Sequence, residues 1–170
     1  MRKLRVRPGS LPELRIAQLA AILQSSGRLF SKILDVEGYE KTLSYFRINP
    51  SDYWQNHYSF SRLSGYNSRM LGKSSFDLII INSVAPIIFA YGRKTGSEEY
   101  CNRAENLLYS IKPEKNAIIR EFGESGIIPE NAMYSQALIQ LKKEYCDNRK
   151  CLYCRIGYRL LSDKRYSVHS

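Results

Sequence analysis

Ser74-Ser75-Phe76-Asp77-Leu78-Ile79-Ile80-Ile81-Asn82-Ser83-Val84-Ala85-Pro86-Ile87-Ile88-Phe89-Ala90-Tyr91 holds the most apolar stretch of the chain, and its reading decides the fold. Leu78 to Ile81 alone fits a buried strand as well as a buried helix, because four consecutive apolar residues carry no period. The continuation through Ile87, Ile88, Phe89 and Ala90 favours helix. Ser74 or Ser75 supplies an N-cap. Pro86 is expected to kink or split the helix, since proline gives up a hydrogen bond and crowds the preceding turn. Phe76 to Tyr91 includes Asp77, Asn82, Ser83 and Pro86 and falls short of the roughly 20 apolar residues of a membrane span. A buried core helix is expected, and no membrane partner.

Upstream, Ser10 and Glu13 form a capping box around Pro12. Ile16, Leu19, Ala20 and Leu23 then recur at helical spacing up to Gly27, with Arg15 and Gln18 pointing away from that stripe. Leu29, Phe30, Ile33 and Leu34 mark a second helix, and Tyr39 to Phe46 a third, stopped by Asn49-Pro50. Ser51 to Lys73 reads as loop. Downstream of Gly96-Ser97, Tyr100, Ala104, Leu107, Leu108 and Ile111 form a clean stripe. Pro113 suits the first turn of a short helix carrying Ile118, Ile119 and Phe122 and ending at Gly123. Tyr134, Leu138, Leu141 and Tyr145 define another, and Leu152, Ile156 and Leu160 a last one. These signals predict one all-α domain over residues 1–170, a compact irregular bundle of about seven to eight short helices. Its expected core includes Ile16, Leu19, Leu23, Ile80, Val84, Phe89, Leu107, Leu108, Ile118, Leu138 and Leu141.

An apolar fraction of 44% over 170 residues is enough for a core without disulfide staples. Lys and Arg number 26 against 16 acids, a net charge of +10, which favours a polyanionic partner: nucleic acid or an acidic protein face. A solvated basic surface accounts for the same count. The start, Met1-Arg2-Lys3-Leu4-Arg5-Val6-Arg7-Pro8-Gly9, lacks the apolar core of a secretion signal, so a cytoplasmic protein with reduced cysteines is expected.

Cys146-x4-Cys151-x2-Cys154, with Cys101 upstream, is a candidate metal set. The spacing matches one pattern of iron–sulfur ligation, although the fourth cysteine precedes the others here, and four sulfurs also suit tetrahedral zinc. Ordinary thiols are the simpler account, cysteine being among the most buried residue types. With two histidines, His57 and His169, no His-based acid–base pair or metal site is expected. His57, beside Asp52, Trp54 and Tyr58, reads more readily as a packed histidine than as a site. No carboxylate pair, Walker motif or dinucleotide glycine motif is present, so no catalytic residue is assigned.

The basic residues gather at both ends: Arg2, Lys3, Arg5 and Arg7, then Lys142, Lys143, Arg149, Lys150, Arg155 and Arg159, with Lys164 and Arg165 beyond. Tyr145, Tyr153, Tyr158 and Tyr166 interleave with the second group. Cations tracking phosphates beside rings that stack on bases is how sequence-tolerant nucleic-acid grooves work. Tyrosines in the core behind a solvated face fit the same spacing.

Several segments together resemble the DUF2851 family, a domain of unknown function typical of Bacteroidetes. They are Arg7-Pro8-Gly9 with Arg15-Ile16-Ala17-Gln18-Leu19-Ala20, Asp52-Tyr53-Trp54 with His57-Tyr58, Ile81-Asn82-Ser83-Val84-Ala85-Pro86 with Ala90-Tyr91-Gly92, and Ser135-Gln136-Ala137-Leu138 through Lys143-Glu144-Tyr145-Cys146. The resemblance runs nearly end to end, Cys151 and Cys154 included, and is similar to the C-terminal helical part of longer members. It implies that a nuclease-like N-terminal region, in the same protein or a partner, lies outside this chain. It raises nucleic-acid binding as the expected role, with a metal- or cluster-bearing accessory domain and a protein-interaction domain as the alternatives.

Overall fold

The computed structural model describes residues 11–35, 37–60 and 62–162. The deciding stretch is helical throughout. Lys73–Ile79 (α5), a π turn at Ile80–Val84 and Ala85–Thr95 (α6) run on without a break. Pro86 is the reason for the π turn: its ring would collide with the Asn82 carbonyl four residues earlier in a regular helix. The wider turn relieves this, with the Ala85 N–H donating to the Ile80 carbonyl. Proline thus widens the helix instead of splitting it. At 23 residues, Lys73–Thr95 is long and apolar enough to cross a membrane by length and composition, which corrects the expectation of too short a run. Its Phe76, Ile80, Val84 and Ile88, spaced by four, are almost wholly buried, as befits a core helix.

The helices that precede it are Pro12–Ser26 (α1), Leu29–Asp35 (α2) and Tyr39–Phe46 (α3). Phe76 meets the rings of Tyr39 and Phe46 at 5.5 and 5.2 Å. Leu11 occupies the N-cap of α1, and no side chain caps it; Ser10, the expected cap, lies outside the described residues. The predicted face of α1 is wrong. Ile16, Leu19 and Leu23 are 68%, 55% and 52% exposed, while Leu14, Gln18, Ile22 and Ser26 are buried. The cause is Gln18, a polar residue in the middle of the inward row, whose Nε2 donates to the Arg69 carbonyl at 2.6 Å. A buried amide satisfied in this way hides the stripe from a hydrophobicity reading. Phe89 is likewise exposed, with Ile88 taking the core position.

The expected loop from Ser51 contains a short helix, Asp52–Gln55 (α4), and a two-stranded antiparallel hairpin, His57–Ser59 (β1) and Arg62–Leu63 (β2), with an irregularity between His57 and Ser59. Arg69 holds this region together from inside. Its guanidinium donates to the Trp54 and Gly65 carbonyls and to Ser64 Oγ, and lies 3.8 Å from the Tyr58 ring centre.

The chain divides into two units, 1–107 and 108–170, where one domain over 1–170 was the sequence expectation. Glu98–Tyr109 (α7) carries the chain from the first to the second. The second unit contains Ala117–Glu124 (α8), Ala132–Leu141 (α9), a π turn at Lys142–Cys146, a 3-10 turn at Cys151–Tyr153 and Arg155–Ser162 (α10). Helix α8 starts later than Pro113 predicts, because Asn116 caps it by accepting from the Ile119 N–H. Ile111, Ala132 and Ser135 are buried in this unit, and the Ala132 N–H donates to the Ile111 carbonyl. Of the remaining expected core, Ile80, Val84 and Leu107 are buried, while Leu108, Ile118, Leu138 and Leu141 are half-buried. The all-α expectation holds.

Candidate nucleic-acid interface

The basic C-terminal region is built around the end of α9. Asn131 opens that helix by accepting from the Tyr134 N–H, and the Lys142–Cys146 π turn extends it. Two backbone bonds then close it: Lys150 N–H to the Tyr145 carbonyl and Arg149 N–H to the Cys146 carbonyl. This six-to-one and five-to-two pair is a Schellman motif, and it needs a left-handed residue between helix and exit. Glycine normally fills that place, but here Arg149 does, with φ 52°. Asn148 secures the corner by donating to the Lys143 and Glu144 carbonyls.

The chain next makes the Cys151–Tyr153 turn and enters α10, whose Gly157 lies against the backbone of Cys151. A Cβ there would stand 2.6 Å from the Cys151 carbonyl oxygen, so glycine is what lets the turn and α10 approach so closely. The result is a tight corner with several side chains on its outer surface. Tyr153 is 84% and Tyr158 61% exposed, and Leu152 and Ile156 are exposed with them. Arg149, Lys150, Arg155 and Arg159 are exposed too, and none is ion-paired among the described residues. From Asn148 to Ser162 the sequence has no acidic residue. Spacing alone left the tyrosines open to a core or a surface role; Tyr153 and Tyr158 are on the surface and Tyr145 is half-buried.

Lys143 is exposed, but Lys142 is engaged. Its Nζ lies 2.6 Å from Asp147 and 3.7 Å from Glu121, and the hydrogen bond to Asp147 raises its pKa. Arg2, Lys3, Arg5 and Arg7 lie outside the described residues.

The cysteines divide between the two units. Cys101, half-buried on α7, places its Sγ 3.9 Å from the Phe89 carbonyl oxygen. Cys146 and Cys151 are exposed and Cys154 is buried. Among the described residues no group of three or more His, Cys, Asp or Glu side chains is placed to hold a metal ion.

Two other polar groups are structural in character. His57 stacks on Tyr53 at 4.0 Å, with Nδ1 2.8 Å from the Tyr53 carbonyl, which is the packed histidine. Tyr39 donates to Asp77 and accepts from Lys73, each at 2.6 Å. Burial, then the bond to Asp77, raises the Tyr39 pKa, and the bond to Tyr39 raises that of Lys73. Both shifts oppose what an activated base needs, so this trio fastens α3 to α5.

Taken together, these elements define a basic, predominantly helical protein with an exposed aromatic and cationic corner in its second unit. Over residues 1–117 the chain matches the model of the family described as Protein of unknown function (DUF2851), and it belongs to that family. The match covers all of the first unit and ends before Cys146, Cys151 and Cys154, short of the near end-to-end resemblance expected. No curated protein and no solved structure matches the chain.

Proposed function

We propose that the protein binds single-stranded nucleic acid, with little sequence preference, through the corner formed by Arg149, Lys150, Tyr153, Arg155, Tyr158 and Arg159. The observation that carries this reading is the pair of exposed tyrosines among four cations that have no acidic partner among the described residues. Exposed rings give bases a stacking platform, and free cations neutralise phosphates. The left-handed Arg149 adds support. A position whose backbone favours glycine carries a long cation instead, which is the pattern of strain kept at functional sites. No reacting group is needed, and the role is binding without catalysis.

The test is fluorescence anisotropy with labelled oligo-dT and oligo-U over a salt series. Four phosphate contacts predict a log–log salt slope of about −2.8 on single strands. Reversing Arg149, Lys150, Arg155 and Arg159 to Glu is expected to abolish binding, and Tyr153→Ala and Tyr158→Ala to weaken it by about tenfold each. No binding at low salt, or unchanged affinity in the reversed variant, overturns the proposal.

A further inference from the structure

Between α1, α2, α3 and the Lys73–Thr95 helix the first unit holds an apolar groove of about 590 Å³, walled by Leu19, Ile22, Leu71, Leu78, Val84 and Ile87. Its floor reaches Ile22 and Val84, which are almost wholly buried, while Leu19, Leu78 and Ile87 leave apolar surface in water at its mouth. Such a concave apolar space with few polar groups is the usual form of a ligand site.

One charged group lines it, Arg15, half-buried. Its Nη1 donates to Gln18 Oε1 at 3.1 Å and its Nη2 to Ser75 Oγ at 3.0 Å. Gln18 is itself fixed, because its Nε2 is bonded to the Arg69 carbonyl. The guanidinium is thus held in place by neutral partners, with N–H groups to spare and no carboxylate partner among the described residues. A preorganised cation beside an apolar wall calls for an anion attached to an apolar body.

The lining is mainly aliphatic and carries a single charge, which suits a hydrocarbon chain ending in one anionic group. We propose that this groove binds an aliphatic monocarboxylate, its chain between Ile22, Leu78, Val84 and Ile87 and its carboxylate on Arg15. The site lies within the first unit and is independent of the nucleic-acid reading.

The experiment is calorimetric titration of the full chain with decanoate and with decanol, backed by amide chemical shifts. Decanoate is expected to bind saturably and about tenfold or more tighter than decanol, with shifts confined to α1 and Lys73–Thr95. Arg15→Gln should erase the preference for the acid, Arg15→Lys should restore part of it, and Ile87→Glu should block both ligands. Amide spectra of each variant establish that the fold is kept. Equal affinity for acid and alcohol, a preference that survives Arg15→Gln, or the absence of saturable binding overturns the assignment. So does concentration-dependent self-association abolished by Ile87→Glu, which would make a second copy the occupant.

Discussion

Replacing Gly92 by alanine sets two well-known effects against each other. In a helix, alanine is favoured over glycine by about 1 kcal/mol, so a solvent-facing Gly→Ala change stabilises. Gly92 is in α6 but does not face solvent. A Cβ built there stands 2.9 Å from three atoms of the following segment: the Cys101 nitrogen, the Cys101 Sγ and the Ser97 carbonyl oxygen. Ordinary contact begins near 3.4 Å, so the start of α7 must withdraw by about half an ångström, and two of the three atoms are backbone. The Ser97 N–H bond to the Gly92 carbonyl, 2.9 Å long, ties the same segment down and resists that movement. Overpacking of this kind costs up to about 3 kcal/mol, and offsetting the propensity gain leaves a net loss of about 2 kcal/mol. For a unit of this size that lowers the melting temperature by about 10 °C. Urea unfolding followed through Trp54, the single tryptophan and a core residue of the same unit, reads the change directly. Gly123→Ala in α8 is the matched control: nothing lies within 4 Å of its Cβ, and a gain of up to about 1 kcal/mol, followed by circular dichroism, is expected. A Gly92→Ala protein as stable as its parent would refute the argument.

Arg69→Met removes the donor from the buried Trp54 carbonyl and from the Gly65 carbonyl and should cost up to about 3 kcal/mol, seen as an early Trp54 transition in urea; an unchanged midpoint would mean that the guanidinium holds nothing. The raised pKa values of Tyr39 and Lys73 mean that the folded chain keeps protons which the unfolded chain releases, so their contribution is complete below the ordinary tyrosine value of 10.0 and declines as pH rises past it. Tyr39→Phe should flatten that alkaline decline in urea titrations run from pH 9 upward, and an identical slope would remove the trio from the account. Arg149→Gly relieves the left-handed residue and should raise stability by up to about 1 kcal/mol while making the salt slope of oligonucleotide binding shallower by about 0.7. A variant that binds as before would disconnect that side chain from nucleic acid.

What was legible in the sequence was local. Tyr39 to Phe46 and α7 were legible because most of their buried residues are apolar, and the long helix because its apolar run continues past Pro86. What was hidden depends on distant partners. Gln18 is buried because Arg69, 51 residues away, offers it a carbonyl. Pro86 signals a broken helix, and only the packing of Phe76, Ile80, Val84 and Ile88 against one core explains why a π turn is preferred to a break. The C-terminal end of α9 lacks its usual glycine, so the Schellman corner that aims Tyr153 and Tyr158 outward has no sequence mark beyond Asp147-Asn148. The cationic residues of the candidate interface could be named from composition, but their lack of carboxylate partners among the described residues could not, as Lys142 shows by turning to Asp147. The groove at Arg15 was unreadable for the same reason, its walls coming from four separate helices.

The π turn at Ile80–Val84 also keeps the long helix in phase. Upstream and downstream halves act as two screws, and the wide turn takes up the extra residue while leaving their threads nearly aligned. Deleting one residue within Ile80–Val84 would close the wide turn to an ordinary one, leaving the two halves nearly in phase but bringing Pro86 against a carbonyl it now avoids. Length in this segment is therefore as constrained as composition. A conservative exchange of one aliphatic residue for another should be tolerated there far better than any change in residue count.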